Sequence, residues 1–210
     1  MKTYAIILSL AAAGLLASCT TQSAAVREAQ ALYNAGQYAQ AIPLFLKEAQ
    51  AGNAESQLML AKCCDFGHGV PQDTAKAAQW YAKAAENGNA DAQNNLGGCY
   101  LDGAGVPRNL QTAFYWYNRS AEQGNAKAQN NVGLCYQNGE GVAQDEAKAA
   151  QYFQAAAKGG NTNGMYNLGR CYFHGTGVPQ NAETARMWVG KAAAGGHKNA
   201  ALFMQDQGWN

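Results

Sequence analysis

Charge is scarce in this 210-residue chain: Asp, Glu, Lys and Arg make up 14% of it, with 15 basic residues against 14 acidic ones. No run of Lys or Arg occurs. Nucleic-acid binding needs a clustered basic footprint, and electrostatic docking on anionic lipid needs a polybasic patch, so both are excluded. Histidine is equally sparse. His68, His174 and His197 fall in different turns, without the paired spacing of a zinc site. The chain has no S-x-x-K, no H-E-x-x-H, no G-x-x-x-x-G-K and no nucleophilic triad signature. Catalysis, metals, cofactors and small-molecule substrates are therefore not expected. No β-periodic run appears either, and the apolar stretch from Ala5 to Ala17 is too short to span a bilayer.

What is present is periodicity. GHGVPQD at Gly67, GAGVPRN at Gly103, GEGVAQD at Gly139 and GTGVPQN at Gly175 recur every 36 residues. A period in this range marks a solenoid, whose units bury their apolar faces only against their neighbours. Asp73, Asn109, Asp145 and Asn181 share one column of helix N-cap types. The first glycine of each GxGV sits where a left-handed residue ends a helix. Each unit thus reads as two helices, the second ending at Gly88, Gly124, Gly160 or Gly196. Alanines and glycines at helical spacing allow close helix approach, and Trp80, Trp116, Tyr152 and Trp188 are expected to fill the remaining core volume. Cys63, Cys99, Cys135 and Cys171 recur at the same period, beside Cys64. Equivalent positions in stacked units lie roughly 8–10 Å apart, beyond disulfide reach, so the column reads as buried small residues.

Units such as ADAQNNLGGCYLDGAGVPRNLQTAFYWYNRSAEQGN resemble Sel1-like repeats, relatives of the tetratricopeptide repeat. The shared features are LG-x-x-Y-x-x-G-x-GV, the cap Asp/Asn, the aromatic pair and the AA-x-x-G ending. Departures stand at Ala61, Cys64 and Ala143. The resemblance implies an all-α, right-handed α-solenoid of about eleven helices. It divides the chain into a tetratricopeptide-like hairpin (25–53), four repeats (54–89, 90–125, 126–161, 162–197) and a capping helix with tail (198–210). Some cysteine-rich Sel1-like proteins staple each unit with two cysteines, but here only the first helix of a unit carries them.

The N-terminus has Lys2, the short apolar run and then Leu16-Ala17-Ser18-Cys19, the layout of a secretory leader. LASC resembles the lipobox of bacterial lipoproteins. That resemblance implies a signal peptide over 1–18, an acylated Cys19 as membrane anchor, a polar tether over 19–24 and, with Thr20 next, sorting to the outer membrane. Removing that leader leaves 14 basic against 14 acidic residues.

Related solenoids bind partners on the concave face lined by their first helices. One stripe of those helices varies between units: Glu55, Met59, Lys62, Phe66; Asp91, Asn95, Gly98, Asp102; Lys127, Asn131, Leu134, Asn138; Asn163, Asn167, Arg170, His174. Variation inside a constant frame is the pattern of a specificity surface. Asn95, Asn131 and Asn167 hold one column, and an amide that both donates and accepts could pair with an extended peptide backbone. The same column could equally bond neighbouring turns of the fold. The function expected is a non-enzymatic, lipid-anchored scaffold for a protein or peptide in the bacterial envelope. Two alternatives stay open: a β-lactamase-like or penicillin-binding Sel1 protein, and a spacer within an envelope assembly.

Overall fold

A computed structural model of the chain describes residues 23–209, so the leader, Cys19 and most of the tether lie outside the described residues. Eleven α-helices and no strand occur among the described residues. They are α1 (Ala24–Asn34), α2 (Tyr38–Gln50), α3 (Ala54–Phe66), α4 (Thr74–Glu86), α5 (Ala90–Asp102), α6 (Leu110–Glu122), α7 (Ala126–Asn138), α8 (Glu146–Lys158), α9 (Thr162–His174), α10 (Ala182–Ala194) and α11 (Lys198–Asp206). None is long and apolar enough to cross a membrane. Each helix packs on its neighbours in sequence, which makes a solenoid of hairpins.

The helix ends follow from side-chain chemistry. Asp73, Asn109, Asp145 and Asn181 each accept a backbone N–H from the first turn of α4, α6, α8 and α10. Such a cap contributes about 1 kcal/mol. Bonds from the Lys76 and Lys148 amides are the main cause that holds the Asp73 and Asp145 carboxyls below the usual aspartate value. A second set of caps, Asn53, Asn89, Asn125 and Asn161, starts α3, α5, α7 and α9 in the same way. Those first helices stop at Gly67, Gly103, Gly139 and Gly175, all left-handed with φ between 70° and 73°.

Ser23 caps α1 through the Val26 amide and donates its hydroxyl to Glu48 of α2 at 2.9 Å. Ser23 and Ala24, assigned to the tether from sequence, therefore belong to the folded hairpin. That hairpin docks on the first repeat through aromatics. Tyr38 stacks on His68 (ring centroids 4.4 Å apart), and the Tyr33 hydroxyl shares a 2.8 Å hydrogen bond with His68 Nδ1.

The core has two aromatic columns, and the sequence expectation requires a correction. Tyr81, Tyr117, Phe153 and Val189 are the fully buried set, none more than 4% exposed. Trp80, Trp116, Tyr152 and Trp188 are half-buried instead. Each of these reaches back to the buried cluster of the preceding unit, Trp80 to that of the hairpin and Trp116 to that of the first repeat. The reason is helical phase: one residue is a rotation of about 100°, which turns one column into the hairpin and its neighbour onto the seam. Lys83 and Lys191 lie over the outer faces of Trp80 and Trp188, at 4.3 and 4.6 Å from the ring centroids.

A buried glutamine column ties the units together. Gln57 and Gln93 each donate Nε2 to a carbonyl at the end of the preceding helix, Ala49 and Ala85, at 3.0 Å. Their oxygens accept from Asn87 and Gln123, the residues that cap the ends of the following helices, both at 2.8 Å. These polar side chains sit in the core because both the nitrogen and the oxygen of each amide find a partner there.

Candidate partner-binding face

First helices of successive repeats touch along one side of the solenoid. α7 and α9 pack directly, and side chains bridge the row at two places. Asn131 donates to Asn94 Oδ1 at 3.0 Å, and Asn167 donates to Asn130 Oδ1 at 2.9 Å. This row of first helices corresponds to the inner, concave row of related solenoids, and the second helices to the outer row.

Most of the predicted stripe is solvent-accessible along this row. Phe66, Asp91, Asp102, Lys127, Asn138, Asn163, Arg170 and His174 are exposed, and Lys62 is half-buried. Two positions differ from expectation. Met59, only 3% exposed, packs with Phe45 and Ala49, because the hairpin preceding it presents an apolar surface where later repeats present asparagine. It is a core residue, not a contact residue. Leu134 is half-buried against the cluster built around Phe153.

Two members of the asparagine column take the structural role considered for it, bonding the preceding repeat. Asn131 and Asn167 each give one N–H to the preceding repeat. The amide oxygen and second N–H of each have no partner among the described residues. Asn95 is engaged within its own helix instead: its oxygen accepts from Asn94 at 3.3 Å. Asn94 and Asn130, the acceptors across the row, were not singled out from sequence. Their signal was present, as the doubled Asn in QNN of two units only. The cap asparagines also reach the stripe, since Asn125 donates to Asp91 at 2.8 Å and Asn89 to Glu55 at 3.2 Å.

Five stripe residues converge on one cavity of about 390 Å³ in the inner row: Phe66, Asn95, Gly98, Asp102 and Asn131. Asp65, Tyr81, Cys99 and Tyr117 complete its acidic and aromatic wall. The Tyr81 hydroxyl donates to Asp65 Oδ2 at 3.0 Å. Burial, first of all, raises the Tyr81 and Tyr117 hydroxyls well above the usual tyrosine value, and both stay protonated.

Three members of the cysteine column, Cys63, Cys135 and Cys171, are buried, and Cys99 is half-buried beside the cavity. Cys63, Cys64, Cys99, Cys135 and Cys171 are free thiols. Desolvation is the main cause that pushes Cys63, Cys99 and Cys171 up to about 11 and Cys135 up to about 12. The thiolate is the nucleophile. Native alkylation of the three buried thiols, Cys63, Cys135 and Cys171, at pH 8 should therefore be roughly a hundredfold slower than after denaturation. The same shift sets an alkaline limit. Their stabilising contribution is complete below the ordinary thiol value of 9.0 and is lost as the pH climbs toward 11, when the unfolded chain ionises first. A urea midpoint unchanged between pH 8 and pH 10.5 would contradict this.

Among the described residues, no group of three His, Cys, Asp or Glu side chains is placed to hold a metal ion.

Comparison with known families matches the Sel1 repeat model at residues 54–89, 90–125, 126–161 and 162–197. No curated protein matches the chain. Among solved structures, a Sel1 repeat protein from Oxalobacter formigenes is 33% identical with a TM-score of 0.78, over 86% of this chain and 74% of that one. A protective antigen present in uropathogenic Escherichia coli strains, displaying an SLR fold, is 33% identical with a TM-score of 0.75. The alignment covers 82% of this chain and only 38% of that antigen. The Helicobacter pylori cysteine rich protein B is 28% identical with a TM-score of 0.51, over 63% of this chain and 95% of that one.

Proposed function

This chain belongs to the Sel1 repeat family, and from that premise we propose a non-enzymatic scaffold that holds a protein or extended peptide along its row of first helices. Sel1 repeat proteins generally act as protein-interaction scaffolds. The observation that carries the finer reading is the stripe itself. Positions 62, 98, 134 and 170 hold Lys, Gly, Leu and Arg, and 66, 102, 138 and 174 hold Phe, Asp, Asn and His, within repeats whose caps and core columns barely change. Packing requires constancy, so variation confined to an accessible row is what partner selection would leave. The open amide groups of Asn131 and Asn167 supply backbone-matching donors and acceptors on that row. The β-lactamase-like alternative lacks the S-x-x-K serine, and a pure spacer gives no reason for the stripe to vary.

Photo-crosslinking amino acids placed in living cells test this. Positions Asp102, Asn138 and Arg170 on the inner row should capture the same protein, and Tyr115 and Met187 on the outer row should not. Equal capture from both rows, or none from the inner one, would refute a partner face there.

The anchor is a separate proposal. LASC at residues 16–19 supports acylation of Cys19 and attachment to the outer membrane of a bacterial envelope. Cys19→Ala should move the protein from the membrane fraction to the soluble fraction, and unchanged fractionation would sink the proposal.

A further inference from the structure

The inner-row cavity exists because of one residue. Gly98 stands in the column where the other repeats carry Lys62, Leu134 and Arg170. A β-carbon built at Gly98 would come 3.7 Å from the Tyr117 hydroxyl, so a long side chain there would enter the space now open. Two features of the wall say what the space suits.

The first is an unpartnered hydroxyl that opens into the cavity from a largely buried side chain. Tyr117 is 4% exposed, lines the cavity and has no hydrogen-bond partner for its hydroxyl among the described residues. Its counterpart Tyr81 does have one, in Asp65. That hydroxyl can both donate to and accept from a group entering the cavity. The second feature is charge. Asp65 and Asp102 both line the cavity, and no Lys, Arg or His does. The bond from Tyr81 occupies Oδ2 of Asp65 and leaves Oδ1 open to a donor, while Asp102 is exposed. Phe66, 62% exposed, adds an aromatic face at the edge.

We propose that this cavity receives a positively charged side chain, arginine or lysine, from the protein held on the inner row; this rests on the scaffold reading and adds the chemistry of recognition. The cation donates to the Asp65 and Asp102 carboxylates and to the Tyr117 oxygen, and its aliphatic stem lies along Phe66. A space of about 390 Å³ accommodates such a side chain without rearrangement of the helices. The second repeat is then a specificity position, and the glycine that looks like a gap in the stripe is its entrance.

The test uses the isotope-labelled full-length chain in neutral detergent micelles. The probes are N-acetyl-arginine methylamide, N-acetyl-lysine methylamide and the neutral citrulline counterpart. The two cationic probes should shift the amide signals of Asp65, Asn95, Gly98 and Asp102 saturably, more weakly in high salt, and citrulline should bind at least about tenfold more weakly. Gly98→Leu should abolish the shifts by filling the cavity, as Leu134 fills the same column in the third repeat. Asp102→Asn, an exposed change that should leave the fold intact, should weaken binding by about tenfold, so the proposal stays testable if the leucine variant misfolds. Equal binding of citrulline, persistence of the shifts in a folded Gly98→Leu variant, or no shift with any probe would each overturn the assignment. If the probes fail while inner-row crosslinks to a partner persist, the cavity assignment falls and the scaffold stands. Loss of the crosslinks removes the scaffold itself.

Discussion

Gly141→Ala is expected to destabilise the solenoid by about 3 kcal/mol, from one added methyl group. Gly141 is the second glycine of its GxGV turn and has φ +74°. An alanine in this left-handed conformation costs roughly 1–2 kcal/mol by itself. The larger part is the neighbour. A β-carbon at Gly141 collides with the carbonyl oxygen of Leu110, at the start of the preceding repeat's second helix. Gly105 and Gly177 meet Thr74 and Glu146 in the same way. A helix backbone cannot rotate aside as a flexible side chain can, so the repeats themselves must separate. Gly160→Ala is the control: its φ is +83°, but nothing lies within 4 Å of an added β-carbon. It should cost only about 1 kcal/mol. Urea melts of both variants decide the matter, and equal losses would mean that this glycine serves the turn alone and not the spacing between repeats.

That contrast marks what a one-dimensional reading could find. The period, the Asp/Asn caps and the first glycines were legible because each is set within one unit by its own backbone. The end of α5 at Gly103 needs no knowledge of the next repeat. Features that depend on how one unit lies on the next were less legible. The sequence shows two adjacent large residues at 80–81, 116–117 and 152–153, and only the crossing angle between helices decides which enters the hairpin and which seals the seam. The same holds for Gln57 and Gln93, whose polarity suggests surface until their acceptors, the ends of the preceding helices, come into place. Met59 went astray for a related reason. Its column is asparagine in later units, but its neighbour is the tetratricopeptide-like hairpin, whose Phe45 and Ala49 make the site apolar.

The candidate site was half legible on the same grounds. Its variable residues could be listed from the repeat, but the cavity could not. It needs Asp65 from α3, Gly98 from α5, Tyr117 from α6 and Asn131 from α7 to meet across three repeats. In the sequence, Gly98 is merely the second of two glycines. One of the pair, Gly97, lets Tyr117 lie close, since a β-carbon there would come 2.6 Å from the ring. The other leaves the space above that ring open. A packing glycine and a site glycine are adjacent letters with unrelated reasons.

The packing glycine carries the remaining large prediction. Phe153→Ala should cost about 3–5 kcal/mol, because the ring is fully buried and its cluster is largely alanine, which cannot reach into the void. Gly133→Ala should cost about 1–3 kcal/mol, since its methyl would lie 2.6 Å from Phe153 Cε1. The first repeat already carries Ala61 in this column, in the same buried cluster as Tyr81, so the frame tolerates the methyl where the hairpin is set for it. Made together, the two changes should not add. The alanine methyl enters the space vacated by the ring, so Gly133→Ala should be neutral or stabilising in the Phe153→Ala background. The expected coupling is about 1–3 kcal/mol. A double-mutant cycle by urea denaturation measures it directly. Strict additivity would show that glycine and ring act independently, and that α7 is held against α8 by something other than this pair.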